Sequence, residues 1–157
     1  MNIGIIIYSQ TGNTNTVVNK LKERLSANGH VTEIVQLKVL GKVHPGKKDI
    51  QFQSLPGVEQ YDVIVFGSPV QAFTLATPMR CYLEQLDSLM GKKVALLVTQ
   101  FFPYPFLGGN QAIRRMKQIC EEKGARICVA EIINWSRRRR DVNITEVVER
   151  LSDSLIS

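Results

Sequence analysis

The sequence predicts a doubly wound α/β domain, and three observations lead there. Short, nearly all-apolar runs recur at 2–8, 62–67 and 93–99, as strands buried on both faces of a parallel sheet require. Segments with apolar residues three and four apart follow such runs, which is helical spacing. The two kinds alternate five times along the chain, and such alternation implies right-handed crossovers with helices on both faces of a five-stranded parallel sheet.

Asn2 to Tyr8 reads as the first strand, because an isoleucine-rich run passes at once into turn residues. From Asn13 to about Asn28, Val17, Leu21 and Leu25 recur at four-residue steps beside Val18, giving an amphipathic helix ended by Gly29. Val31 to Leu37 supplies a second strand. The stretch from Lys38 to Gln60 has no clear period and five Gly or Pro residues, so an irregular excursion with room for one short helix is expected. Asp62 to Gly67 is a third, central strand, β-branched and aromatic throughout its core. Thr77 to Leu89 is expected to be helical, with Thr77 as cap and Pro78 at the first helical position. Lys93 to Thr99 is the fourth strand. Gly109 to Lys123 places Ile113, Met116 and Cys120 on one side of a helix stopped by Gly124. Arg126 to Ile133 is the fifth strand, and Ile144, Val147, Val148, Leu151 and Leu155 share one face of a C-terminal helix.

The 157 residues fit one domain, 1–157, with no repeat, low-complexity tract or linker. A hydrophobic share of 44% and a charged share of 22% exclude a disordered chain, and no run is long enough to span a membrane. Cys81, Cys120 and Cys128 form no CxxC pair and leave one over, which suits buried thiols in a reducing, cytoplasmic setting. The net charge of +6 favours anionic ligands or partners. Its sharpest feature is Arg137, Arg138, Arg139 and Arg140, read as a solvated loop or as a contact for an anionic partner.

In open α/β sheets ligands sit beyond the carboxyl ends of the strands, so the loops after strands one, three and four are where chemistry is expected. The first is Ser9, Gln10, Thr11, Gly12, Asn13, Thr14, rich in hydroxyls and amides and leading straight into a helix. A helix N-terminus offers unpaired N–H groups and partial positive charge, so this loop can hold a phosphate without a lysine. It lacks both the GK[ST] ending of a nucleotide loop and the three glycines of a dinucleotide fingerprint, which points to a phosphate monoester on a smaller cofactor. The second loop is Ser68, Pro69, Val70, Gln71, Ala72, Phe73, where Phe73 offers an aromatic face. The third runs from Gln100 through Phe101, Phe102, Pro103, Tyr104, Pro105, Phe106 and Leu107 to Gly108 and Gly109, four aromatics where exposed loops are usually polar. Such a loop expects something apolar to cover, or a subunit contact in a homo-oligomer.

SQTGNT after a first strand resembles the FMN-phosphate loop of flavodoxins, and VIVFGSPVQAF resembles their third-strand loop. The likeness extends over nearly the whole chain. It implies the family's strand order 2-1-3-4-5 and a non-covalently held FMN. By position it places Ser9, Thr11, Gly12, Asn13 and Thr14 around the phosphate, with the backbone of Gln10 beside them. It places Ser68 to Phe73 along the flavin ring, and Gln100, Phe101, Phe102, Tyr104, Gly108 and Gly109 over it. The Gly-Gly pair before a helix resembles the NAD(P)H:quinone oxidoreductase branch, implying NAD(P)H as a transient donor and a quinone or similar small acceptor. Carrier flavodoxins are typically acidic, whereas this chain is basic, so a carrier serving a redox protein is the second reading. A flavin-free module using its arginine cluster is the third. No catalytic residue and no metal site are predicted, because the flavin itself performs electron transfer. His30 and His44 lie away from the three loops, and Trp135, after strand five, is expected to be structural.

Overall fold

The computed structural model describes residues 1–41, 50–101, 104–136 and 140–157, and only the backbone of Pro105. The parallel strands are β1 (Asn2–Ile7), β2 (Val31–Gln36), β5 (Val63–Gln71), β7 (Lys93–Gln100) and β8 (Arg126–Asn134). They lie in the order β2-β1-β5-β7-β8, which is 2-1-3-4-5 among the parallel strands, as expected. The helices are α1 (Asn13–Ala27), α2 (Thr77–Gln85), α3 (Gly109–Glu122) and α4 (Arg140–Ile156).

Alternation of side chains along each strand splits the core into two layers. Ile6, Ile64, Phe66, Leu96 and Val98 face α2 and α3, meeting Met79, Tyr82, Leu83, Met116 and Cys120. Ile3, Ile5, Ile7, Val65 and Leu97 face α1 and α4, meeting Val17, Leu21, Leu25, Val147 and Leu151. These central strand residues are fully buried, which is why their sequence runs are apolar without alternation. Toward the amino end, Gly4 lets the Tyr61 ring lie directly on β1, where a Cβ would come within 2.5 Å of it.

Four expectations need correction. The third strand does not stop at Gly67: β5 continues to Gln71, and β6 (Thr74–Leu75) returns antiparallel to it, pairing Gln71 with Thr74. The sheet thus has six strands, five of them parallel. The helix from Thr77 ends at Gln85, with Leu86 extended, and its cap residue is Ala76, with no side-chain cap. In the excursion after β2, the described residues form two-residue strands β3 (Val39–Leu40) and β4 (Gln51–Phe52), paired antiparallel. Of the cysteines, all free, only Cys120 is buried; Cys81 and Cys128 are half-buried.

Candidate functional site

The loops after β1, β5 and β7 converge on a cleft of about 190 Å³ at the carboxyl end of the sheet. From the first loop Gln10, Thr11 and Asn13 line it; from β5, Pro69, Val70 and Gln71; from the end of β7, Thr99, Gln100 and Phe101. A larger cleft of about 450 Å³ runs between α1 and α4, but Lys20, Glu23, Arg24 and Glu149 mix both charges there, and no residue of the three loops lines it.

Local chain conformation opens the first loop toward the cleft. Gly12 precedes α1 with φ 89°, and no side chain caps the helix. The Gly12 N–H donates to Ser9 Oγ at 3.2 Å, and the first helical bond runs from the Thr16 N–H to the Gly12 carbonyl at 2.9 Å. The N–H groups of Asn13, Thr14 and Asn15 therefore have no intrahelical acceptor, and they form the positive end of the helix. No Asp or Glu occurs in 8–16, 68–77 or 100–109, so no carboxylate of these loops opposes an anion.

Not every expected residue faces this space. Thr14 is buried, and its hydroxyl shares a 3.0 Å hydrogen bond with the Thr99 hydroxyl, so only its backbone belongs to the donor set. Ser68 is also buried, its hydroxyl donating to the Pro69 carbonyl at 3.0 Å. Gln71 reaches back to the first loop, its Nε2 donating to Gln10 Oε1 at 2.5 Å. Ala72 (φ 49°) and Phe73 (φ 61°) form the two-residue turn between β5 and β6, a left-handed conformation that normally selects Gly or Asn. Phe73 projects outward at 56% exposure and does not line the cleft.

In the third loop Phe101, Tyr104 and Phe106 are exposed, and the rings of Tyr104 and Phe106 stack with centroids 5.5 Å apart. Phe102 and Pro103 lie outside the described residues. The glycine pair has a packing explanation. A Cβ on Gly108 would meet Val70 Cγ1 at 2.5 Å and the Phe73 backbone at 2.9 Å, while one on Gly109 would collide with Gln100 Oε1. Both glycines therefore press the third loop against its neighbours, a packing role that by itself accounts for the absence of side chains there. Thr99 is a lining residue that sequence reasoning missed, since a threonine ending an apolar strand looks like β-branched filler.

No protein-family model and no curated protein matches the sequence. Solved structures do match. Oxidised flavodoxin 1 from Bacillus cereus superposes with a TM-score of 0.72 at 16% identity, covering 99% of this chain and 97% of that one. The fold is that of the flavodoxins. Flavodoxin 2 from the same organism gives a TM-score of 0.69 at 19% identity, covering 99% of this chain and 98% of its own. A flavoprotein from Lactobacillus acidophilus, solved in complex with FMN, gives 0.64 at 18%, covering 92% and 97%.

Other features of this flavodoxin-like chain lie apart from the cleft. His30 sits near the N-terminal amine, 3.5 Å from it, while His44 lies outside the described residues. Arg140 begins α4, its guanidinium 4.9 Å from the centre of the Trp135 ring and donating to the Trp135 carbonyl at 3.0 Å. It is thus half-buried and engaged, not a solvated loop residue; Arg137, Arg138 and Arg139 lie outside the described residues. Among the described residues no helix is long and apolar enough to cross a membrane.

Proposed function

We propose that this protein is an FMN flavoprotein that moves electrons from NAD(P)H to a quinone or similar small acceptor. The observation behind this reading is the uncapped N-terminus of α1, opened by Gly12 onto a cleft with apolar and amide walls. An anionic phosphate completes those N–H groups, and a flat ring system suits the Val70 and Phe101 side. The residues present fit the cofactor. Gln10, Thr11, Asn13 and the backbone of Thr14 would hold the phosphate; Pro69, Val70, Gln71 and Phe101 would flank the ring. Bound FMN supplies the redox chemistry, and the chain's share is binding, orientation and exclusion of water.

The basic charge and the carboxylate-free loops favour an acceptor-reducing enzyme over an acidic carrier. Likeness to flavodoxins over nearly the full chain supports the second reading, an electron carrier, whose partner would then be an acidic redox protein. Exposed Phe73, Phe101, Tyr104 and Phe106 at the same end would meet such a partner, or a second copy of the chain. Steady-state NAD(P)H oxidation by FMN-loaded protein with a soluble quinone decides between them. Turnover that saturates in both substrates supports the enzyme. Absence of turnover, with rapid electron exchange to an acidic redox protein, supports the carrier.

A further inference from the structure

Thr99 and Gln100 are consecutive residues at the end of β7, and strand alternation sends their side chains to opposite faces of the sheet. Both are nearly inaccessible, at 2% and 3% exposure. Each meets the first turn of a different helix. On one face the Thr99 hydroxyl bonds the Thr14 hydroxyl of α1 at 3.0 Å. Gly67 makes that seat possible, since a Cβ there would come within 3.1 Å of the Thr14 methyl. On the other face Gln100 Nε2 donates to Asn134 Oδ1 on β8 and to the Tyr104 carbonyl, both at 2.7 Å. Gly109, first residue of α3, lies against Gln100 Oε1 with no room for a side chain. The Gln100 carbonyl in turn accepts from the Trp135 N–H at 2.7 Å.

The strand end therefore works as a two-sided polar clamp in an otherwise apolar core. We propose that Thr99 and Gln100 are positioning residues of the flavin site: Thr99 sets the α1 N-terminus that receives the phosphate, and Gln100 sets the chain at Tyr104 and the start of α3 beside the ring. This rests on the FMN reading above. Both reach the edge of the cleft, but the side-chain bonds of each run to a different neighbour, so the two should fail differently. A displaced α1 N-terminus affects only ligands with a phosphate, whereas a displaced Tyr104 and α3 start affect any flavin.

The test compares FMN and riboflavin, titrated against the whole protein by quenching of flavin fluorescence. Thr99→Val keeps shape and removes the hydroxyl. It should weaken FMN about tenfold or more and riboflavin much less, the scale of one hydrogen bond to a charged group. Thr99→Ser should restore FMN affinity. Gln100→Met should weaken both ligands by a similar factor and shift the visible circular dichroism of the bound flavin, which Thr99→Val should leave in place. If either variant fails to fold, Thr14→Val cuts the Thr99 bond from the other side and should reproduce its pattern, while Asn134→Leu removes one of the two Gln100 bonds and should give the Gln100 pattern in weaker form. Unchanged affinities, or equal losses of FMN and riboflavin in the threonine variants, would overturn the proposal while leaving FMN binding intact. A wild-type protein that takes up neither flavin overturns the FMN reading itself, and the proposal with it.

Discussion

Two glycines in the left-handed region open two helices at the same end of the sheet, and their surroundings differ completely. Gly12, at φ 89°, has nothing within 4 Å of where a Cβ would stand. Gly108, at φ 124°, is pressed onto Val70 and the Phe73 backbone. The first loop enters α1 at a glycine whose Cβ side is open, and the N–H groups of the first turn behind it have no intrahelical acceptor. The third loop is shaped by packing against the β5–β6 hairpin, and of its described aromatics Phe101 borders the cleft while Tyr104 and Phe106 stack on each other at the surface. A glycine before a helix can thus serve access in one place and close contact in another, and only the neighbours tell which.

The largest expected effect tests the packed side of this contrast. Gly108→Ala combines a left-handed backbone with a collision against backbone atoms, and should cost about 2–5 kcal/mol of stability. Gly12→Ala carries the backbone term alone, about 1–2 kcal/mol. Thermal unfolding of both variants measures the difference; equal losses would mean that the hairpin gives way and the contact at Gly108 is soft.

Ligand affinity sharpens the open side. Asn13→Ala, or Thr11→Ala, should weaken FMN by about 1–3 kcal/mol for each hydrogen bond lost to the charged phosphate, with riboflavin much less affected. Titration of both flavins checks this, and matched losses would show that these side chains do not read the phosphate.

A smaller effect concerns potential. Full reduction of the flavin adds negative charge, and the loops around the cleft hold no carboxylate in a chain of net charge +6. The second one-electron couple should therefore be less negative than in an acidic flavodoxin titrated alongside at moderate salt. A couple equally negative would show that local contacts outweigh the overall field.

The opposite end of the sheet supplies a control with the smallest effect near neutral pH. Burial, followed by the hydrogen bond that the Tyr61 hydroxyl donates to Glu33 at 2.7 Å, pushes the Tyr61 pKa up to about 12. The neutral phenol is the form the fold favours, so this contribution is complete below the unfolded value near 10 and is lost as pH rises toward 12. Tyr61→Phe should flatten the alkaline stability profile across that window without altering the FMN-to-riboflavin preference. A changed preference would mean that the two ends of the sheet are coupled.

Much of the architecture was legible because parallel strands buried on both faces must be apolar throughout, as in Val94 to Val98, and because helices such as α1 keep a strict apolar stripe. What stayed hidden depends on contacts between distant segments. The left-handed turn at Ala72 and Phe73 has neither Gly nor Asn to announce it, so the continuation of β5 read as loop. Thr14 looked like a phosphate ligand because the first turn of a helix has no periodicity to say which hydroxyl turns inward; Thr99, 85 positions away in sequence, decides it. The Gly108–Gly109 pair resembled a family signature and is accounted for by Val70, Phe73 and Gln100. The open N-terminus of α1 was readable because it is a local feature, in backbone N–H groups that a loop passing from a strand into a helix exposes.

On the proposed reading, the open N-terminus of α1 holds the phosphate of a flavin mononucleotide. Visible absorption of the protein, followed by chromatography of the cofactor released by heat, tests it most directly. The expected result is a flavin spectrum, as purified or after reconstitution, and release of FMN alone. Recovery of FAD, or a protein that stays colourless after incubation with FMN, would contradict it.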